Sequence, residues 1–388
     1  MRKLSLQRML SADRLDMDKN MKPRMNVYLT TAKRVFKYAY PVIRSLFEQN
    51  ADSEVYLYLV SENLEDVDIC RERELAGNYG GHITILRFDE EMARGKIVSA
   101  SDHWPLGTLG CYWLFHELLP DDVDRILALE SDAVVTGSLR EFYDTDLTGF
   151  YAACPDPEHK PMGHRDLMER LGGDVLTFVV SLYDVKAIRR DFTLDQILNI
   201  DQYVVKEFGH SQQELTFGIL FQNKIKFLSA ADLCVEENSQ SMEAMGYDYL
   251  KECEKTCKVL HFSSTQYKEK PWNPVYIMPG YAKWWQYAKE SPYYKEYFEE
   301  QWKTYRNSIA QMEALKKNIT YRNLLLMTLV VYAVLMAVAG AWLGKFAAEG
   351  LAVNPLVWLA VAAVVLVVAA GVAVLVRRVS VLVVSYKN

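Results

Sequence analysis

Arg125-Ile126-Leu127-Ala128-Leu129-Glu130-Ser131-Asp132-Ala133-Val134-Val135-Thr136 runs apolar for the length of a strand, stops at two carboxylates and resumes as Ala-Val-Val. Burying a carboxylate at the end of an apolar strand is costly unless the acid is paired or bound to a cation. Glu130 and Asp132 stand two apart, so an extended chain points both to one side. Two acids on one side suit a divalent metal held through oxygen. Taken alone, the pattern is more often an ordinary strand end with solvated acids. The neighbouring stretches decide between the two.

Upstream, Met25–Thr31 (MNVYLTT), Glu54–Val60 (EVYLYLV) and His82–Phe88 (HITILRF) read as strands. Between them lie Val35–Gln49, with Val35, Tyr38, Val42 and Leu46 at helical spacing, and a charged helix over Asn63–Leu75. Strands alternating with helices predict βαβ units and a mostly parallel sheet. Ligands of such sheets bind beyond the carboxyl ends of the strands, and a fourth strand, Ile126–Leu129, ends at Glu130 and Asp132. Downstream, Tyr151–Cys154, Val175–Tyr183 and Leu215–Phe221 are apolar runs, Asp195–Phe208 reads as a helix, and Lys224–Leu228 reads as a strand. Val259-Leu260-His261-Phe262 and the later Lys268–Pro274 add a nitrogen ligand, His261, and a point charge for phosphate, Lys270. Singly, a lone histidine is more often a core residue and a lysine pair a solvated loop. Tyr281–Tyr297 is strongly aromatic and predicts a helix packed on the domain, with a turn at Ser291-Pro292. Glu299–Lys317 reads as a charged amphipathic helix.

The chain has 388 residues, half of them hydrophobic, and a net charge of -6, so no excess of basic residues calls for nucleic acid. Its six cysteines lack metal-ligand spacing and read as reduced thiols. The first twenty residues have no apolar core of a signal peptide and read as a polar leader. Leu324–Gly344 and Pro355–Val376 are apolar runs of 21 and 22 residues, each long enough to cross a bilayer as a helix. Lys316, Lys317 and Arg322 precede the first, and Arg377 and Arg378 follow the second, which places both flanks inside. The expectation is a two-span hairpin in the cytoplasmic membrane, with the soluble domain and both termini in the cytoplasm. Neither run holds an ionisable residue, which argues against a transport pathway.

In ordered combination, MNVYLTT, HELLPDDVDRILALESDAVVTGSLREFYDTDLTGFYAA, LHF with KEKPWNP, and AKWWQYAKESPYYKE resemble the family-8 retaining glycosyltransferases of GT-A fold, whose members include bacterial lipopolysaccharide galactosyl- and glucosyltransferases. The resemblance spans about residues 25–301. It implies an α/β GT-A domain over 25–302, after a leader over 1–24 and before a juxtamembrane helix over 303–322 and the hairpin and tail over 323–388. Glu130-Ser131-Asp132 matches the family's Asp-x-Asp, with Glu130, Asp132 and His261 as ligands of Mn²⁺ or Mg²⁺. Lys270-Pro271-Trp272 matches the Lys-Pro-Trp that clasps the diphosphate, and Thr30, Thr31 and Ala32 fall where the family binds the nucleoside. Gln212-Gln213-Glu214 stands at the family's Asp-Gln-Asp, which assigns Gln213 and Glu214 to the reacting sugar carbon. Ser264 replaces a glycine, Tyr112 an arginine that contacts the donor, and Leu176–Val180 an Asn-Ala-Gly segment. These changes cluster around the donor sugar.

The resulting expectation is a metal-dependent transferase that moves a hexose from a UDP-sugar to a saccharide or lipid-linked glycan acceptor at the membrane. The alternatives are a catalytically silent GT-A domain that serves as a nucleotide-binding or membrane scaffold, and a nucleotidyltransferase. The glycine-free Thr30–Arg34 stretch disfavours the latter.

Overall fold

Valine, leucine, isoleucine and tyrosine dominate four strands that pair in parallel: β1 (Arg24–Thr30), β2 (Glu54–Ser61), β3 (His82–Arg87) and β4 (Arg125–Leu129). Val27 stands opposite both Leu57 and Leu127, so β1 lies between β2 and β4. The computed structural model describes residues 22–98, 109–156, 174, 176, 179–237, 239–263, 269–274 and 278–348, with scattered positions between 355 and 374. β7 (Val180–Asp184) runs against β4, and β6 (Ala152–Pro155) and β8 (Ile225–Leu228) complete a seven-stranded sheet of order β3-β2-β1-β4-β7-β6-β8. Only β7 is reversed, so the sheet is mostly parallel, as the alternation of strands and helices predicts. A second sheet joins β5 (Ala133–Val135) to β10 (Val259–His261) and β10 to β9 (Cys234–Glu236), and β11 (Glu269–Lys270) pairs with β12 (Asn273–Pro274).

Strand alternation sorts the core into two faces. Val27, Leu29, Leu57 and Leu127 pack under helix α1 (Phe36–Gln49), which buries Val42, Ile43, Leu46 and Phe47. Tyr28, Tyr58, Ile126, Ala128 and Tyr183 face the other way, against Phe115 and Phe217. The charged helix expected over Asn63–Leu75 begins later, as a tight turn at Asp66–Ile69 followed by α2 (Cys70–Asn78). A reciprocal cap between Glu65 and Asp68 fixes the start of that turn. Farther along come α3 (Leu194–Phe208) and α4 (Gln213–Leu220), where the sequence showed only an apolar run at Leu215–Phe221.

The aromatic segment forms α5 (Tyr281–Ala288), breaks near Ser291-Pro292 and restarts as α6 (Tyr294–Ala348). Trp284 and Tyr297 are fully buried. Tyr297 has a specific task. Pro41, inside α1, has no N–H to give Lys37 O, and the Tyr297 hydroxyl donates to that carbonyl instead. All six cysteines are free thiols, five of them buried.

The chain divides into two units, Met1–Phe298 and Glu299–Asn388. The second is built on α6, a continuous 55-residue helix that merges the expected juxtamembrane helix with the first apolar run. Its most apolar window has a mean hydropathy of 2.5, and Leu324, Leu326, Met327, Val330 and Trp342 are exposed on it. Among the described residues this is the one helix long and apolar enough to cross a membrane. The first span of the expected hairpin is thus a membrane-length helix, and the second span falls partly outside the described residues. The linker residues 349–354 and the tail beyond 374 lie outside the described residues, as do the leader residues 1–21, and the second run is described only at isolated helical positions.

Candidate active site

β4 ends at Leu129, and the chain turns through Glu130, Ser131 and Asp132 before entering β5 in the second sheet. The two acids thus share a turn, and the expected same-side projection from an extended strand is not how they meet. The reason is the change of sheet: β5 leaves β4 to pair with β10, so the backbone must bend between them. In that antiparallel ladder His261 stands opposite Ala133, and Phe262 N–H donates to Asp132 O at 3.0 Å. Register alone therefore carries an imidazole from the far end of the domain to the two carboxylates. On its other edge β10 is held by β9, where Glu237 N–H donates to His261 O at 2.7 Å.

Glu130, Asp132 and His261 bring one ligand atom each within 4.8 Å of one another. His261 is 4 % exposed, and its Nε2 lies 2.8 Å from Glu130 Oε2 and 3.3 Å from Asp132 Oδ1. Neither ring nitrogen has a well-aligned hydrogen bond among the described residues. Burial opposes charge on His261, but Asp132 and Glu130 outweigh it and lift the imidazole to about 10. Burial likewise opposes charge on Asp132, yet Lys270 and His261 hold its carboxyl well below the usual range. Two hard oxygen donors and one imidazole nitrogen, converging without hydrogen-bond alignment, form a donor set that Mn²⁺ or Mg²⁺ fits.

Lys270, on the β11 strand, is 8 % exposed. Its ammonium contacts Asp132 Oδ2 and donates to Phe262 O at 2.7 Å. The expected phosphate clasp thus sits directly on a metal-ligand candidate, a pairing the sequence reading did not contain. Trp272, expected at the cofactor, is buried: it stacks on Tyr38 with ring centroids 4.3 Å apart and leans on Trp284 at 5.4 Å. Among the described residues its ring contacts are Tyr38 and Trp284, beside the turn after Lys270. At the end of β1, Thr31 N–H donates to Val60 O at 3.0 Å, and the buried Thr31 hydroxyl has no partner among the described residues. Thr30 is partly exposed beside it, and Ala32 is buried. These three lie at the carboxyl edge of β1, the neighbour of β4.

Gln213 and Glu214 open α4. Gln213 is 8 % exposed and accepts from Cys111 Sγ at 3.2 Å. Cys111 lies in the same buried cluster as Tyr28, whose hydroxyl is raised well above its ordinary range by burial. Tyr112, in the turn Cys111–Trp113, is fully buried, and its hydroxyl donates to Asp201 at 2.7 Å. Asp201 was absent from the sequence reading. Its signal was there: it falls among Ile197, Leu198 and Val204 on the apolar face of α3. Of the donor-side changes, Ser264 and residues 177 and 178 lie outside the described residues.

Comparison with known proteins agrees with this architecture. The sequence profile described as Glycosyl transferase family 8 matches residues 26–275. Among solved structures, the galactosyltransferase LgtC in complex with donor and acceptor sugar analogues is similar at 17 % identity and a TM-score of 0.56, covering 69 % of this chain and 96 % of that one. The bifunctional glycosyltransferase WbbM is similar at 15 % identity and 0.56, covering 73 % and 52 %. The glycosyltransferase GlyE of Streptococcus pneumoniae TIGR4 is similar at 16 % identity and 0.51, covering 68 % and 60 %. At these identities the likeness is one of fold. Comparison with curated protein sequences gives no match.

Proposed function

The chain belongs to glycosyl transferase family 8 and is a glycosyltransferase that uses a nucleotide sugar, and from that premise we propose that it moves a hexose from UDP-galactose or UDP-glucose to a saccharide or lipid-linked acceptor at the cytoplasmic face of a membrane. The observation that carries this reading is the convergence of Glu130, Asp132, His261 and Lys270 at the carboxyl ends of β1 and β4. Glu130, Asp132 and His261 would hold Mn²⁺ or Mg²⁺, which when bound neutralises charge on the diphosphate leaving group. Lys270 supplies a further positive charge to that leaving group. Thr30, Thr31 and Ala32 line the place of the nucleoside beside β4. Gln213 and Glu214 stand at the donor-sugar side, where the acceptor hydroxyl attacks the face that UDP leaves, with retention. The galactosyltransferase named above, with donor and acceptor analogues bound, supports a hexose donor. The exposed apolar stretch of α6 and the second run, Pro355–Val376, support membrane attachment, with the positive flanks in the cytoplasm.

The test is thermal stabilisation of the detergent-solubilised chain by UDP and a panel of UDP-sugars, with and without Mn²⁺, since a ligand of the folded state alone raises the transition temperature. The expected result is a metal-dependent shift with UDP, a larger one with a single UDP-sugar, and loss of the UDP shift in Asp132→Ala. An unchanged UDP shift in Asp132→Ala removes the metal assignment. UDP binding without transfer from any nucleotide sugar favours the silent scaffold.

A further inference from the structure

We propose that Asp201 and Tyr112 form a buried positioning pair that aims the first turn of α4, and Gln213 with it, at the donor sugar, setting turnover and leaving nucleotide affinity unchanged. The inference deepens the function above and rests on it.

Asp201 is fully buried on the apolar face of α3. It accepts from Ser211 Oγ at 2.6 Å, Tyr112 Oη at 2.7 Å and Thr216 Oγ1 at 3.1 Å, and from the Gln212 backbone N–H. Every one of these donors is neutral. A buried carboxylate without a cation is expensive, and a full set of donors is what makes it tolerable. Burial raises its carboxyl, and those same bonds oppose the rise.

Three of the four donors, Ser211, Gln212 and Thr216, bracket Gln213 in sequence. α4 opens at Gln212 with no side-chain cap of its own, so Asp201 does from a neighbouring helix what a capping residue does locally. The fourth donor, Tyr112, adjoins Cys111, whose thiol donates to Gln213. Tyr112 also packs edge-on to Phe217 of α4 at 5.8 Å. Ser211 ties the same knot to the segment after β3: its N–H donates to Val98 O at 2.8 Å, and its hydroxyl accepts from Val98 N–H at 2.9 Å. Glu130, Asp132 and His261 are held by β4, β5 and β10, apart from this network. Disturbing Asp201 or Tyr112 should therefore move Gln213 and leave the diphosphate end in place.

The variants are Tyr112→Phe, which removes one hydroxyl and keeps the ring on Phe217, and Asp201→Asn. UDP release from UDP-galactose and UDP-glucose with Mn²⁺ measures kcat and KM, and UDP titration measures affinity. The expected result is a fall in kcat of about 10- to 100-fold in each, with donor KM and UDP affinity held within about threefold. Should Asp201→Asn fail to fold, Tyr112→Phe alone decides. Unchanged kcat in Tyr112→Phe, or a loss confined to KM, overturns the inference while the function stands. A wild-type chain that binds UDP with Mn²⁺ but releases none overturns the role of Gln213 and this inference together. Absence of both UDP binding and release in the wild type overturns the underlying function as well.

Discussion

Replacing Lys270 with methionine should make the nucleotide-free site bind Mn²⁺ more tightly, the reverse of what loss of a conventional site residue does. The Lys270 ammonium contacts Asp132 Oδ2, and Asp132 is one of the three metal-ligand candidates. Lysine and a divalent cation therefore act on one buried carboxylate. Unit charges about 4 Å apart interact by about 4 kcal/mol at an effective dielectric of about 20, and a divalent cation doubles the repulsion. Swinging the ammonium aside, with Phe262 O as its other partner at 2.7 Å, relieves much of that. A residual of about 1.4–2.8 kcal/mol corresponds to a gain of about 10- to 100-fold in metal affinity. Methionine is unbranched and fills the same slot without charge. With nucleotide the sign reverses: a diphosphate gives Lys270 its own anion, so UDP affinity at saturating Mn²⁺ should fall by a similar factor in the variant. Mn²⁺ titration followed by electron paramagnetic resonance, first alone and then with UDP, reads both numbers. Metal affinity that is unchanged or weaker in nucleotide-free Lys270→Met would refute the competition.

Two further predictions concern the scaffold. Glu72 is 1 % exposed, takes a hydrogen bond from Tyr293 Oη at 3.4 Å through Oε1, and leaves Oε2 without a partner among the described residues. Burial raises its carboxyl above the ordinary value, so its contribution to stability is present below the unfolded pKa and is lost as pH rises through the folded one. Glu72→Gln, which does not titrate, should gain on the wild type by about 1–3 kcal/mol between about pH 4 and pH 7 in urea unfolding; parallel curves would count against it. Gly280 is the other. Its N–H donates to both oxygens of the buried Glu237 at 2.8 Å, and an added Cβ would lie 2.8 Å from Glu237 Oε1. Gly280→Ala should cost about 1–3 kcal/mol and lower Tm by roughly 2–4 °C for each; an unchanged Tm would show that Glu237 yields freely.

Much of the architecture was legible along the chain because it is written in local periodicity. The alternation of Met25–Thr31, Val35–Gln49, Glu54–Val60 and His82–Phe88 is a property of neighbouring residues, and β1, α1, β2 and β3 follow it within a residue or two. The break at Ser291-Pro292 and the long apolar helix were legible for the same reason. The carboxylate pair closing an apolar strand was legible as an anomaly, since such a pair is costly to bury, and His261 and Lys270 were candidates only in combination with it. What joins those members was not legible. That the acids occupy a turn depends on β5 changing sheets, and that His261 meets them depends on the register of β10 against β5. The pairing of Lys270 with Asp132, the burial of Trp272 between Tyr38 and Trp284, and the Asp201 network are contacts between residues far apart in the chain. Sequence alone supplied the candidates for metal and phosphate, because chemistry resides in side chains. Tertiary structure alone decided which of them touch, because contacts are distances, and distances exist only once the strands have paired.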